Sequence, residues 1–178
     1  LQLGDPAWVA ERTGLPVLSH VRAADVAAGG QGAPLVPVLD VLLLGTMTGN
    51  RAALNLGGIA NMTVLSEGRD PFAYDLGPAN ALIDAAVARC TGGAELYDRD
   101  GVRAARGHLD EDMLSDLLDE PYYRLPAPKS TGKELFHGGY LADVMARHPR
   151  VGGDDVVATM TELTARVVAV EAERCGIA

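Results

Sequence analysis

The chain has 178 residues, 48% of them hydrophobic, 22% charged and 4% aromatic, with 21 Gly and 10 Pro; this balance excludes collagen-like, low-complexity and disordered proteins. Fifteen Lys and Arg stand against 24 Asp and Glu, for a net charge of -9, which argues against a surface that neutralises phosphate backbones and so against a nucleic-acid partner. Cys90 and Cys175 have no Cys-x-x-Cys spacing and are too few for a disulfide framework, which points to a reducing compartment.

No apolar run reaches the roughly 18 residues that span a bilayer, and Leu1-Gln2-Leu3-Gly4 is not a leader, so a cytoplasmic protein without a membrane partner is expected. The start reads as the middle of a strand. The end, Cys175-Gly176-Ile177-Ala178, reads as a helix stop before another strand, and the sequence is therefore expected to be an internal piece of a longer protein.

Asp5-Pro6 predicts a helix over 5–13, with Asp5 as N-cap and Gly14 as its stop. Leu15 to Ser19 reads as a short strand, and Gly29-Gly30-Gln31-Gly32-Ala33-Pro34 as a glycine-rich turn. Leu35 to Leu44 reads as a buried helix, although periodicity alone does not separate a run of that length from a strand. From Ala52 the texture changes to strand, turn, strand, turn, strand, ending at Phe72-Ala73-Tyr74-Asp75, with a domain boundary near 45–50.

Pro78 is expected to open a helix carrying Leu82, Ile83, Ala86, Val87 and Cys90 at helical spacing, stopped by Gly92-Gly93. Residues 98–121 fit two short amphipathic surface helices, with Asp110, Glu111, Asp112, Asp116, Asp119 and Glu120 on a solvated face. Pro126 to Gly139 is the longest irregular stretch, and loops of that length tend to be functional. Asp154 is expected to cap a last long helix with Val157, Met160, Leu163, Thr164, Val167 and Val170 as its apolar stripe.

Asn55-Leu56-Gly57-Gly58-Ile59-Ala60-Asn61 sits between two apolar strands. Adjacent glycines there let backbone N–H groups approach an anion; the equally simple alternative is a hairpin turn that needs positive φ. It is no Rossmann fingerprint, and Lys129-Ser130-Thr131-Gly132-Lys133 is no P-loop, since Ala127-Pro128 replace the upstream glycine. Asp75, between a strand and the expected helix start, would lie near free N–H groups and could take a proton from water or a hydroxyl; the plainer alternative is a capping aspartate. The scattered His20, His108, His137 and His148 make no metal cluster, so any metal is expected to arrive with a nucleotide.

Taken together, the segments Gly29 to Pro37, Leu54 to Asn61, Tyr74 to Pro78 and Pro128 to Glu134 resemble the anhydro-N-acetylmuramic acid kinase family, in order and spacing, and the resemblance extends to the Ala158-Thr159-x-x-Glu162-Leu163-Thr164-Ala165 helix. It implies an α/β fold, with the ribonuclease-H-like lobes of the actin, heat-shock-70 and sugar kinase superfamily, incomplete here. Residues 1–48 would be the end of the first lobe and 49–178 most of the second.

The resemblance further implies an ATP- and Mg²⁺-dependent kinase of cell-wall recycling that phosphorylates an anhydro amino sugar, acting as a homodimer. Asp75 would be the catalytic base. Asn55, Gly57, Gly58 and Asn61 would hold phosphate, and Arg22, Asp25, Gly30, Gln31, Asn80 and Lys129 would contact substrate. Arg22 and Asp25 match the family's pattern before the glycine turn, whereas His20, Ala23 and Ala24 depart from it. The family's Gly-Thr-Ser-x-Asp-Gly phosphate loop and Gly-Gly-Gly adenosine segment are not in this sequence, so the piece alone is expected to be inactive. Two other readings stay open: a noncatalytic binding or assembly module, and another carbohydrate or acetate kinase.

Overall fold

The computed structural model describes residues 4–30, 32, 37–46 and 48–177. Its contacts divide the chain into two units, Leu1–Leu35 and Val36–Ala178; the change of sequence texture lies further on, near 48. No helix among the described residues is long and apolar enough to cross a membrane.

In the first unit α1 (Pro6–Thr13) forms as its caps require. Asp5 Oδ1 accepts from the Ala7 N–H at 2.8 Å, Pro6 fills the first helical position, and Gly14 closes the helix at φ 67°. The strand expected over Leu15 to Ser19 is absent: these residues are irregular and pair with no strand among the described residues. An apolar run becomes a strand only where another offers its ladder. The helix α2 (Val21–Ala27), which periodicity did not suggest, follows instead.

The second unit runs α3 (Pro37–Leu44), β1 (Arg51–Leu56), β2 (Ile59–Leu65), β3 (Phe72–Pro78), α4 (Asn80–Cys90), α5 (Val102–Arg106), α6 (Glu111–Leu118), α7 (Gly138–Arg147) and α8 (Gly153–Arg174). The strands form the expected antiparallel meander in the order β1-β2-β3. Alternation sends Met62, Val64, Tyr74 and Leu76 to one face, where they are buried with Leu82, Ala86 and Val87 of α4 and Val157, Met160, Leu163 and Val167 of α8. Each fully buried Val, Leu or Met contributes roughly 1.5–3 kcal/mol, so this two-layer core is the main source of stability.

Three expectations are corrected. The 37–44 segment is a helix but not a buried one: Val38, Leu39, Leu42 and Leu43 are each more than half exposed, and α3 meets the sheet where Thr63 Oγ1 donates to Asp40 Oδ2 at 2.6 Å. Pro78 does not open a helix; it pairs with Ile59 as the last residue of β3, and α4 starts at Asn80. Asp154 does not cap α8. Gly152 holds that position, while Asp154 turns to Arg103 Nη1 at 2.7 Å and Arg106 Nη2 at 3.1 Å, and Val170 is exposed.

The α5–α8 contact depends on a missing side chain. A Cβ at Gly107 would overlap the Asp154 carbonyl, which is backbone and has nowhere to go. Gly107→Ala is therefore expected to lower stability by about 1–3 kcal/mol, read as a lower urea midpoint at unchanged slope.

On the far side of α6, Asp116 accepts from Arg147 Nε at 2.8 Å and meets His148 Nε2 at 3.1 Å. The Arg147 bond first, then that of His148, hold its carboxyl below the ordinary 3.8, outweighing its partial burial. A depressed folded-state value means stability that is complete above 3.8 and is lost as pH falls through the lower value. Urea midpoints of the parent and Asp116→Asn should thus differ by a constant amount at neutral pH and converge below that point.

Candidate active site

A bulge between Ala60 and Asn61 sets the register of β2 on β3 so that Asn61 stands opposite Asp75, while Asn55 of β1 stands opposite Asn61. Opposed residues of an antiparallel ladder project from one face. Asn55, Asn61 and Asp75 therefore make a polar row across all three strands, on the face turned away from Met62 and Tyr74. The Gly57-Gly58 turn closes the β1–β2 hairpin two residues beyond Asn55.

Neither glycine of that turn takes a positive φ. A Cβ at Gly57 would meet nothing nearer than 3.7 Å, and one at Gly58 nothing nearer than Ala81 Cβ at 3.8 Å. Neither turn conformation nor packing explains the pair. The turn's carbonyls face α4, where Gly58 O accepts from the Ala79 and Ala81 N–H groups and Gly57 O from that of Asn80, all at 3.0 Å, and Asn80 Nδ2 donates to Leu56 O at 3.0 Å. Among the described residues the Gly57 and Gly58 N–H groups have no protein acceptor.

This pattern changes the expected setting of Asp75. The first N–H groups of α4 are taken by the hairpin and are not offered to the carboxylate. Asp75 Oδ2 accepts from Ser130 Oγ at 2.9 Å and from the Thr131 N–H at 3.1 Å. The Asp75 N–H donates to Lys129 O at 3.0 Å, and its carbonyl accepts from Tyr122 Oη at 2.6 Å. The residue is buried, and among the described residues Oδ1 takes no protein donor. One oxygen is thus fixed by two donors and the other is left to accept a proton, the arrangement a general base requires.

The segment that supplies those donors lies in the long irregular stretch and is anchored from within. Phe136, fully buried, has the rings of Tyr122, Tyr123 and Tyr140 at centroid distances of 5.9, 6.1 and 5.6 Å. Lys129 is buried too: its ammonium donates to Glu171 Oε1 at 3.0 Å and lies 4.9 Å from the Tyr122 ring centroid. Glu171 also accepts from Arg174 Nη1 at 2.8 Å and from Tyr74 Oη at 3.1 Å. Burial first, then the Cys175 thiol and the Glu171 carboxylate for Tyr74 and nearby carboxylates for Tyr122, pushes both hydroxyls well above their ordinary value, so both are hydrogen-bond donors at neutral pH.

Two expected substrate contacts are therefore committed elsewhere in this geometry: the Lys129 ammonium to Glu171 and the Asn80 amide to Leu56. In the first unit, Arg22, Asp25 and Gly30 come together around their own turn. Asp25 Oδ2 accepts from the Gly32 N–H at 2.7 Å, Asp25 O from Gly30 N–H at 2.9 Å, and Arg22 Nε donates to Gly32 O at 2.8 Å. A Cβ at Gly30 would meet the Asp25 carboxyl and push it from its place on the Gly32 N–H. Gln31 lies outside the described residues.

Sequence reasoning missed Tyr122 and Glu171. Glu171 stands four residues after Val167 on the buried stripe of α8, and a carboxylate at a stripe position was the available signal. Ser130 and Thr131 lay within a quoted motif, but nothing local tied them to Asp75.

The anhydro-N-acetylmuramic acid kinase family model matches residues 1–176. Curated relatives of that name include one from Streptomyces coelicolor, 60% identical over 95% of this chain and 43% of the relative, and one from Rhodococcus erythropolis, 53% identical over 95% and 44%. A third, from Gloeobacter violaceus, is 50% identical over 94% and 45%. The chain spans less than half the length of these relatives. With a match along nearly every residue, and with the glycine turn and Asp75 within it, the chain belongs to the anhydro-N-acetylmuramic acid kinase family.

Proposed function

We propose that this chain is the part of an ATP-dependent kinase that carries one phosphate-binding turn and the catalytic base, acting on 1,6-anhydro-N-acetylmuramic acid in cell-wall recycling. The observation that carries this reading is the half-clamped Asp75 carboxylate, in line with Asn61 and Asn55 and beside a glycine pair that the fold itself does not require. Asp75 Oδ1 takes a proton from the water whose oxygen bonds to the anomeric carbon. The bond from that carbon to the bridging O6 breaks, and O6 takes the γ-phosphoryl group of ATP, giving N-acetylmuramic acid 6-phosphate and ADP.

The Gly57 and Gly58 N–H groups are donors that a phosphate of ATP would meet, since no side chain stands in the way and the developing charge on transfer is met by preset dipoles. Asn55 and Asn61 flank that position. The reading keeps Arg22, Asp25, Gly30 and Gln31 as sugar contacts, and treats Lys129 and Asn80 as positioning groups. Mg²⁺ is expected to come with ATP; among the described residues no three His, Cys, Asp or Glu side chains gather as a metal site. The meander with α4 fits the opening of a ribonuclease-H-like lobe, and a cytoplasmic homodimer completes the proposal.

Gly57→Ala separates ligand from fold. Its Cβ makes only ordinary van der Waals contacts, the nearest at 3.7 Å, so the unfolding free energy is expected to change by less than about 1 kcal/mol, while ATP affinity of the protein at the relatives' full length falls at least about tenfold. Fluorescence or calorimetric titration reads the affinity. Product analysis in ¹⁸O-labelled water, with the label expected on the anomeric carbon and none on phosphate, tests the reaction itself.

A further inference from the structure

Glu171 touches neither Asp75 nor the glycine turn, yet both of its oxygens lead back to Asp75. We infer that Glu171 of α8 is a positioning residue for the Asp75 carboxylate, acting through Lys129; the inference rests on Asp75 being the base.

Through Oε1, Glu171 holds the Lys129 ammonium at 3.0 Å. The Lys129 carbonyl then accepts from the Asp75 N–H, and the next two residues supply Ser130 Oγ and the Thr131 N–H to Asp75 Oδ2. Through Oε2, it accepts from the hydroxyl of Tyr74, the residue before Asp75. Tyr122 ties the two routes, its carbonyl accepting from Lys129 Nζ at 3.4 Å and its hydroxyl donating to Asp75 O.

The segment needs such an anchor. Residues 126–128, 130, 133 and 134 are exposed, and between Pro126 and Gly139 only Lys129 and Phe136 are buried. A buried ion pair is a poor way to gain stability, since an apolar pair of similar volume is often as good or better. What the pair does that apolar groups do not is fix one lysine at one depth. That depth sets where Ser130 and Thr131 meet the carboxylate.

The test is amide hydrogen exchange and proton chemical shift at Thr131 in the isotope-labelled full chain. Glu171→Gln is expected to speed Thr131 exchange at least about tenfold and move its proton shift upfield, with amides of the α4–α8 contact within about twofold of the parent. Asp75→Ala, which removes the acceptor altogether, is expected to give a similar acceleration at Thr131. The double variant then shows about the same tenfold, because both act on one bond, and not the hundredfold of independent sites. If Glu171→Gln unfolds α8, Glu171→Asp, which keeps the charge but withdraws it by one methylene, is read in its place and should give an intermediate rate. A Thr131 amide unchanged in either folded variant, or a hundredfold effect in the double, overturns the inference. The surface control Arg166→Gln should leave Thr131 as it is. These outcomes stand apart from the kinase reading: turnover that survives Asp75→Asn removes the base but not the coupling, whereas an indifferent Thr131 removes the coupling alone.

Discussion

Replacing Asp75 with Asn in a protein of the relatives' full length is expected to lower turnover by about 10²- to 10⁴-fold, the range supplied by a positioned base, with little change in affinity for ATP or the anhydro-sugar. The substitution keeps size and shape. An Asn side-chain oxygen still accepts from Ser130 and Thr131, so the clamp survives while the proton acceptor is lost. Steady-state measurement of ADP release gives the turnover, and titration gives the affinities. Parent-like turnover would place the base elsewhere.

Lys129→Met is expected to cost about 3–5 kcal/mol, toward the lower end, because the substitution leaves the Glu171 carboxylate in the interior with Arg174 as its remaining cation. Arg174 is about half exposed, so it satisfies only part of what Lys129 supplied. Adding Glu171→Leu removes the stranded charge, and the double variant should recover most of the lost stability. Urea unfolding of the two variants against the parent measures both steps. A double variant no more stable than Lys129→Met would mean that the lysine acts by packing on Tyr122 and not by charge.

The meander and the helices α1, α4, α5, α6 and α8 were legible because each is a local matter, whereas α2 and α7 were missed. Alternation places Met62 and Val64 on one face, Asp5-Pro6 begins a helix by chemistry confined to one turn, and the stripe of α8 repeats at helical spacing. Leu15 to Ser19 failed for the opposite reason, since a strand exists only with a neighbour. The α3 leucines read as core because composition does not say what stands opposite them. At the site, Asp75 and the glycine pair were picked out as candidates by the strand-and-turn pattern around them and by the family resemblance, although Asp75 lies within β3 and not after it. Their arrangement was not legible: one bulge decides that Asn61 opposes Asp75, and the donors on Asp75 Oδ2 come from a stretch 55 residues away. Lys129 shows the same limit, for a lysine in a polar loop gives no sign that it will be buried.

Asp75 lies on an outer strand whose main-chain partner, at that residue, is the carbonyl of a loop. A loop can be rebuilt without unpicking a sheet. Changes of length or sequence between Pro126 and Lys133 can therefore retune what surrounds the carboxylate, while every rung joining β1, β2 and β3 stays in place. The scaffold and the selectivity of such a site are free to diverge at different rates.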